Sequence, residues 1–166
     1  QGLFEIQNCA YVGAGVLGSS VAMDKAVCKH VMQSIGVPVL EYAVFSRRDI
    51  QENLQETIEQ AEQVAPYPLF VKPANLGSSV GISKARNREQ LATALQIAAR
   101  YDRRILVERG ISPREIEISV LGNTEVQCTV PGEIVPGDEF YTYKDKYQSG
   151  DPEVAIPAPL PAEQST

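Results

Sequence analysis

The spacing of apolar residues predicts alternating helices and strands in the first two thirds of the chain. Apolar residues recur every four positions from residue 23 to residue 35, which is typical of one helical face, and Gly36 ends this helix. A strand follows at 37–45. Ser46 and Asp49 have the spacing of a capping box, which predicts a second helix whose apolar positions continue to residue 61. A strand at 69–71, a helix at 87–101 and a strand at 105–108 complete this part.

The pattern changes from residue 115 onwards. Polar and apolar residues alternate strictly from Glu115 to Val120, which predicts a half-buried antiparallel strand. Gly122 and Asn123 predict a hairpin turn, and residues 124–130 predict the returning strand. The whole pattern therefore predicts an α+β protein, with a change of composition near Ile111 or Ser112.

Composition and charge argue against a nucleic-acid partner, a disulfide framework, a zinc site and a membrane span. The formal net charge of −6 argues against a nucleic-acid partner, because phosphate backbones need a basic surface. The three cysteines are widely spaced and odd in number, which indicates neither a disulfide framework nor a zinc site and fits a reducing cytoplasm. The longest mostly apolar stretch, residues 11–23, is too short and too rich in glycine and serine to span a bilayer.

A glycine-rich segment at residues 13–18 satisfies Gly-x-Gly-x-x-Gly, the dinucleotide-binding pattern. That pattern needs a buried strand directly before it and an acidic residue about 20 positions after it. The sequence supplies neither in a suitable form. A tight turn leading into the helix that begins near Asp24 explains the glycines better, and such a turn is also able to line a small-molecule pocket.

Two lysines and a second glycine-rich segment indicate phosphate binding. Lys72 ends an apolar strand and precedes the loop Gly77–Gly81, where a cation and backbone N–H groups would together cradle phosphates. A surface β-turn would explain the glycines but not the lysine. The lysine precedes the glycines, so this is not a P-loop. Lys25 lies in the first turn of its helix, where the helix dipole disfavours a cation, so an anionic ligand would give its charge a use.

Two carboxylates and a late basic segment add further candidates. Glu108 ends an apolar strand and Glu115 begins the next one, so these carboxylates would suit hydrogen bonds to an amine and to sugar hydroxyls. An edge strand that displays Glu115 to water explains that residue equally simply. The segment 141–147 is aromatic and cationic in an acidic chain, and Lys146 within it would suit a phosphate.

The order of these motifs resembles D-alanine:D-alanine ligases over nearly the whole chain. The matching segments are Met23-Asp24-Lys25, Val71-Lys72-Pro73, Gly77 to Ile82, Leu106-Val107-Glu108, Arg114 to Glu117 and Tyr143 to Tyr147. The resemblance implies an ATP-grasp fold. Residues 1–23 would end an N-terminal substrate domain and its linker, 24–111 would form the central subdomain, and 112–166 would begin an incomplete C-terminal subdomain. The opening Gln1 and the proline-rich end lead us to expect an internal fragment, inactive alone.

The resemblance also implies roles for individual residues. Lys25 and Lys72 would hold ATP phosphates, Glu115 would bind the ribose, and Lys146 would reach the γ-phosphate. The remaining nucleotide-binding residues would be the loop Gly77, Ser78, Ser79, Val80 and Gly81 and the adenine segment Glu108, Arg109 and Ile111. Ser78 and Tyr147 would belong to a catalytic hydrogen-bonded triad, whose third member, a glutamate, would precede Gln1. Ligands for Mg²⁺ are expected after Thr166, and no metal ligand is expected within the chain.

The implied reaction joins two D-alanine molecules for cell-wall peptidoglycan. One carboxylate would attack the γ-phosphate of ATP to give an acyl phosphate, and a second D-alanine amine would displace phosphate. Tyr147 favours an amine acceptor over D-lactate, and D-serine is an open alternative, as is another ATP-grasp ligase. The full protein is expected to be a cytoplasmic homodimer with no membrane or nucleic-acid partner.

One alternative comes from a different class, a nucleotide-binding module built on residues 13–18 without ligase chemistry. It predicts that Gly15→Ala abolishes ligand binding while Lys72→Ala does not, and the ligase interpretation predicts the reverse. A purely structural domain would explain the apolar pattern but would leave the lysines and the glycine–serine loop without a reason for their arrangement.

Overall fold

The computed structural model describes residues 1–135 and 153–161, and the chain divides into two compact units at residues 110 and 111. The predicted loop with Lys146 and Tyr147 lies outside the described residues. In the first unit the helices are α1 Gly2–Ile6, α2 Val16–Met23, α3 Lys25–Ser34, α4 Arg47–Glu52, α5 Leu54–Glu62 and α6 Arg88–Tyr101. The strands are β1 Tyr42–Ser46, β2 Leu69–Pro73, β3 Ser83–Ala85 and β4 Arg104–Arg109.

The four strands form one antiparallel sheet in the order β1-β4-β2-β3. Successive side chains of a strand point to opposite faces of its sheet, so only one face needs an apolar cover. That face packs against α4, α5 and α6 and forms the hydrophobic core. Its main contributors are Phe45, Leu69, Val71, Ala85, Ile105 and Val107 from the sheet and Ile50, Ile58, Leu91 and Leu95 from the helices. The other face carries charged and aromatic side chains together with the apolar Val44 and Leu106.

Side-chain caps mark the start of three helices of the first unit, α3, α4 and α6. The predicted capping box is confirmed, since Asp49 N donates to Ser46 Oγ at 3.0 Å and Ser46 N donates to Asp49 Oδ2 at 3.1 Å. Asn87 caps α6 through a bond from Gln90 N. Gly36, at φ 80°, follows α3 in the left-handed region that ends a helix, as predicted.

The structure differs from the sequence expectations at several elements. The helix predicted to run to residue 61 is broken at Asn53 into α4 and α5. Asparagine is a weak helix former, and the apolar spacing stays in phase across the break, so the pattern does not reveal it. Helices α1 and α2 and strand β3 were not predicted, and β1 begins at Tyr42 rather than at residue 37.

The apolar stripe of the first predicted helix is not buried. The helix exists as α3, but Met23, Val27, Val31 and Ile35 are between 38% and 67% exposed among the described residues. Ala26 alone of that helix is buried. Four-residue spacing thus predicted the secondary structure correctly without predicting burial.

The second unit contains two small antiparallel sheets. Strands β5 Glu115–Glu117, β8 Gly132–Val135 and β9 Glu153–Ala155 form one, in the order β5-β8-β9. Strands β6 Val120–Leu121 and β7 Gln127–Cys128 form the predicted hairpin with Gly122 at φ 127° in the turn, but the returning strand is shorter than the predicted 124–130. Between the two sheets the chain leaves regular pairing at Ile118 and Ser119.

The prediction of one half-buried strand from Glu115 to Val120 is therefore wrong. β5 pairs with β8, whereas β6 pairs with β7, so the alternating segment contributes to two separate sheets. Its apolar side chains are also exposed, with Ile118 at 53% and Val120 at 64%. Alternation specifies a strand conformation, but the partner strands decide which sheet receives it.

The longest helix, α6, has 14 residues. No helix in the described ranges has the length and apolar character that crossing a membrane requires.

Candidate functional site

The polar face of the first unit's sheet carries a row of side chains in register across all four strands. Tyr42 pairs with Glu108, Glu108 with Phe70, and Phe70 with Lys84. Directly opposed residues of an antiparallel sheet point to the same face, so these side chains form one continuous surface with Lys72, two residues beyond Phe70. The ammonium groups of Lys72 and Lys84 lie 5.4 Å and 5.8 Å from the centre of the Phe70 ring.

Glu108 is the electrostatic centre of this face. Its carboxylate is nearly buried, and it is paired with two ammonium groups: Oε2 lies 2.9 Å from Lys29 Nζ, and Oε1 contacts Lys72 Nζ. Burial alone would raise the pKa of the Glu108 carboxyl, but the charges and hydrogen bonds of Lys72 and Lys29 outweigh it and hold that pKa below its ordinary value. Glu108 is therefore a charged group inside a cluster with excess positive charge.

Lys25 joins the start of α3 to the end of β2. Its backbone N donates to Ala74 O at 2.9 Å, and its Nζ donates to Pro73 O at 3.1 Å and to Leu76 O. Burial and the nearby charge of Lys72 lower the pKa of Lys25 despite neighbouring carboxylates. The cation predicted from its position in the helix is thus held by carbonyl oxygens beside the strand that carries Lys72.

An ion pair, the N-cap of α3 and a hydrogen bond from Asn75 hold this corner in place. Asp24 Oδ1 accepts bonds from Ala26 N at 3.1 Å and Val27 N at 3.0 Å, and its Oδ2 accepts from Arg104 at 2.6 Å. Asp102 Oδ2 accepts from Asn75 N at 2.8 Å. The start of β4, the start of α3 and the chain after β2 are therefore bound to one another.

The predicted glycine–serine loop forms consecutive turns directly after this corner. Val80 N donates to Gly77 O at 3.1 Å, and Ile82 N donates to Ser79 O at 3.2 Å. Ser78 and Ser79 have φ values of 52° and 59°, in the left-handed region that serine rarely adopts. Two adjacent residues in that region store conformational strain, which is common where a loop rearranges around a ligand.

The loop ends against fixed neighbours. Gly81 has φ 72°, and an added Cβ would lie 2.7 Å from Tyr101 Cδ2 and 2.8 Å from Pro73 Cγ. Only glycine meets both conditions. The loop is therefore held at this end by Tyr101 and Pro73.

A cavity of about 780 Å³ lies where α2, the start of α3 and residues 75–77 meet. Lys25 and Gly77 both line it, together with Ser19 and Ser20 of α2. The cavity therefore brings one predicted phosphate-binding lysine to the same concave surface as the start of the predicted phosphate loop.

The chain after Glu108 is fixed on both sides of its backbone. Arg109 N donates to Glu41 O at 3.0 Å, and its guanidinium makes two 2.7 Å bonds to the Glu41 carboxylate. Gly110 N donates to Pro68 O at 2.8 Å, and a Cβ on Gly110 would lie 2.6 Å from that oxygen. The predicted adenine segment thus has a rigid backbone, with the Arg109 side chain committed to Glu41.

The remaining predicted nucleotide residues of the described chain, Ile111 and Glu115, belong to the second unit. Glu115 begins β5, is half-buried and pairs with Ile134. Its neighbour Arg114 makes two 2.7 Å bonds to Glu133 and one to Pro159 O at 3.2 Å. Arg114 thereby fixes the strand that presents Glu115.

Lys29, Tyr42 and Phe70 also belong to this face and were not predicted from the sequence. Lys29 follows Lys25 by four residues, which places both on one side of a helix, and that spacing was an available signal. Tyr42 and Phe70 are found only through the strand register.

The dinucleotide alternative lacks its structural context. The segment before the turn at residues 13–18 is helix α1 followed by irregular chain, not a strand, and the turn opens α2 with Gly15 as its N-cap. His30, which carries no predicted role, bonds Ala26 O and Tyr42 OH through Nδ1 at 2.9 Å and 2.8 Å. Residues 1–135 and 153–161 hold no group of three or more His, Cys, Asp or Glu side chains placed to bind a metal.

Comparison with known proteins gives one consistent result. Residues 31–166 match the family model described as D-ala D-ala ligase C-terminus. The chain is 52% identical over 164 residues to a D-alanine–D-alanine ligase of Bacillus velezensis, covering 99% of this chain and 46% of that protein. It is 50% identical over 163 residues to a D-alanine–D-alanine ligase of Enterococcus gallinarum, covering 98% of this chain and 52% of that protein. The chain thus spans about half the length of the curated relatives it matches.

Solved structures agree with the sequence comparison. D-alanyl-alanine synthetase A of Vibrio cholerae superposes with a TM-score of 0.83 at 27% identity, covering 99% of this chain and 50% of that chain. The VanG D-Ala:D-Ser ligase of Enterococcus faecalis also gives a TM-score of 0.83, at 30% identity, covering 99% of this chain and 47% of that chain.

Proposed function

This chain belongs to the D-alanine–D-alanine ligase family and has its α+β, ATP-grasp fold, and from that premise we propose that it forms the ATP-binding part of an enzyme that joins two D-alanine molecules. The observation that carries the proposal is the charged sheet face, where Glu108 lies between Lys29 and Lys72 and next to the corner held by Lys25. Such a cluster of cations suits the phosphates of a nucleoside triphosphate.

We assign the phosphates of ATP to Lys25, Lys72 and the loop Gly77–Gly81. The cavity that Lys25 and Gly77 share supports this assignment, as does the left-handed backbone of Ser78 and Ser79. Strain in a loop of this kind is released when a ligand supplies new hydrogen bonds to its N–H groups. Closure of the loop over the phosphates would also exclude water from a hydrolysable acyl phosphate.

We assign the adenine to the segment from Glu108 to Ile111 and the ribose to Glu115. The rigid backbone at Arg109 and Gly110 supports the first assignment, because fixed N–H and C=O groups read a base edge without loss of conformational entropy. Phe70, in register with Glu108, would offer an aromatic surface to the base. The assignments of Lys146 and Tyr147 are proposals from the family alone, because the described residues do not include them.

We propose that the full enzyme uses Mg²⁺. The ion would neutralise phosphate charge during transfer, and we expect its ligands after Thr166. We propose that the full protein is a cytoplasmic homodimer acting on small molecules, an inference that rests on family membership.

The identity of the second substrate, the acceptor, is a separate question. D-alanine is the acceptor named for the curated relatives, and the VanG structure, a D-Ala:D-Ser ligase, has an equally similar fold. Fold similarity therefore does not separate D-alanine from D-serine. We place D-alanine first because the relatives at about half identity carry that name.

Phosphate release in the full-length protein tests the proposed function. With ATP and Mg²⁺ present, we expect release to depend on D-alanine and to yield the dipeptide, with D-serine and D-lactate giving slower release. Lys72→Met should abolish the activity, whereas Arg48→Met removes a charge of the same sign from an exposed position on α4 and should leave it unchanged. Release that is independent of D-alanine, or insensitive to Lys72→Met, contradicts the proposal.

A further inference from the structure

The Glu108 carboxylate is shared by two lysines that come from different elements. Lys72 lies two residues beyond Phe70 on the same sheet face, whereas Lys29 approaches from α3, one turn after Lys25. Their side chains are 24% and 17% exposed. One carboxylate is thus paired with two ammonium groups, of which only Lys72 has a proposed phosphate partner.

Lys29 is oriented by groups other than Glu108. Its Nζ lies 5.2 Å from the centre of the Tyr42 ring, and Tyr42 is itself fixed by its hydrogen bond to His30 on α3. A cation over an aromatic face is attracted to it, so Tyr42 and Glu108 together hold Lys29 in place. An ion pair and a cation–π contact therefore both keep Lys29 beside Glu108.

Within the described residues, the charged groups that act most strongly on Glu108 are Lys72 and Lys29. Helix α3 contributes Lys25 and Lys29, β2 contributes Lys72, and β1 contributes the Tyr42 hydroxyl group. On the far side of Phe70, β3 contributes Lys84. If Lys72 moves to a phosphate, Lys29 is the cation left in direct contact with Glu108.

We propose that Lys29 is a positioning residue for nucleotide binding: it keeps the Glu108 carboxylate charged and in place while Lys72 engages the phosphates of ATP. The inference rests on the proposed function, because it requires Lys72 to bind phosphate. A nearly buried carboxylate that loses every cation partner takes up a proton instead of staying charged. Lys29 prevents that proton uptake, so the acceptor oxygens of Glu108 stay available to the base.

Proton linkage tests this role more directly than affinity. MgATP is titrated calorimetrically into the full-length protein and its Lys29→Met variant, in buffers of different ionisation enthalpy at one pH near neutrality. We expect Lys29→Met to take up as much as about one additional proton on binding, and to bind MgATP about tenfold or more weakly. Lys29→Arg keeps the charge and should restore wild-type proton linkage.

Removing the carboxylate provides the internal control. In the double variant Lys29→Met with Glu108→Gln, the additional proton should disappear, and the affinity should match that of Glu108→Gln alone within about twofold. That comparison also holds if Lys29→Met folds poorly, because the double variant removes both charges of the pair. Arg48→Met should take up no additional proton.

Two results would overturn the inference. The first is wild-type affinity and wild-type proton linkage in a folded Lys29→Met. The second is a double variant that binds MgATP at least about tenfold more weakly than Glu108→Gln, because Lys29 would then act directly on the nucleotide. Failure of the proposed function gives a different result, since MgATP would bind equally to the wild type and Lys72→Met, or to neither.

Discussion

Lys25 Nζ lies 3.1 Å from the carbonyl oxygen of Pro73, so the first residue of α3 is hydrogen-bonded to the last residue of β2. The same ammonium also donates to Leu76 O, ahead of the glycine–serine loop. A cation that the helix dipole disfavours is thus stabilised by the chain that it holds. Lys25 has a structural use as well as its proposed use in binding phosphate.

Lys25→Met should therefore lower both stability and nucleotide affinity. Charge-assisted hydrogen bonds contribute about 1.5–3 kcal/mol, so we expect the free energy of unfolding to fall by about 2 kcal/mol. Urea denaturation measures this change. Arg48→Met, on an exposed surface, should stay within about 0.5 kcal/mol of the wild type. A Lys25→Met protein as stable as the Arg48→Met control would show that the carbonyl contacts contribute little.

Asp24→Ala should destabilise the same corner by a separate mechanism. The substitution removes the N-cap of α3 and leaves Arg104 without its 2.6 Å partner. Loss of the cap alone costs about 1 kcal/mol, and the broken ion pair adds to it, so we expect a total of about 2 kcal/mol or more. Asp24→Asn keeps an acceptor oxygen, so its free energy of unfolding should lie between those of the wild type and Asp24→Ala. Equal unfolding midpoints for all three proteins would contradict this role.

Gly110→Ala should lower the stability because of a steric clash rather than a strained backbone conformation. The added Cβ would lie 2.6 Å from Pro68 O, so the chain before β2 and the chain after β4 must separate. Overpacking of this kind costs about 1–3 kcal/mol. Gly15→Ala is the matched control, because nothing lies within 4 Å of its Cβ position. Thermal unfolding of the two variants should separate them clearly, and equal midpoints would contradict the close approach.

Stability at acid pH should depend on Glu108. Its pKa in the folded protein is held below the ordinary value of about 4.3, so its contribution is complete above that value and is lost as the pH falls through the lowered folded pKa. Urea midpoints measured from about pH 6 down to about pH 3 should therefore fall less steeply for Glu108→Gln than for the wild type. Parallel profiles would show that Glu108 does not contribute in this way.

Local sequence signals predicted local structure well. The capping box of Ser46 and Asp49 and the stop at Gly36 are determined by neighbouring residues, and both are present. The segment from Glu115 to Val120 was predicted wrongly because its two ends pair with two different strands, β8 and β7. Its alternation contains no information about where pairing changes from β8 to β7.

In the site too, features formed by neighbouring residues were predicted, and contacts between distant residues were not. Lys72 and the loop Gly77–Gly81 are adjacent in sequence, so their shared chemistry was recognisable. Glu108 was identified, but its pairing with Lys29 joins residues that are far apart in the chain and depends on how α3 packs on the sheet. Contacts of this kind follow from tertiary packing, which no periodicity describes.

Calorimetric titration of MgATP into the full-length protein and its Lys72→Met variant tests the nucleotide-binding face most directly. We expect saturable binding by the wild type and a loss of at least about a hundredfold in affinity for Lys72→Met, because a buried charge contact to phosphate is removed while Glu108 keeps Lys29. Gly15→Ala should bind as the wild type does. Wild-type affinity in Lys72→Met, or loss of binding in Gly15→Ala alone, would contradict the assignment of ATP to this face.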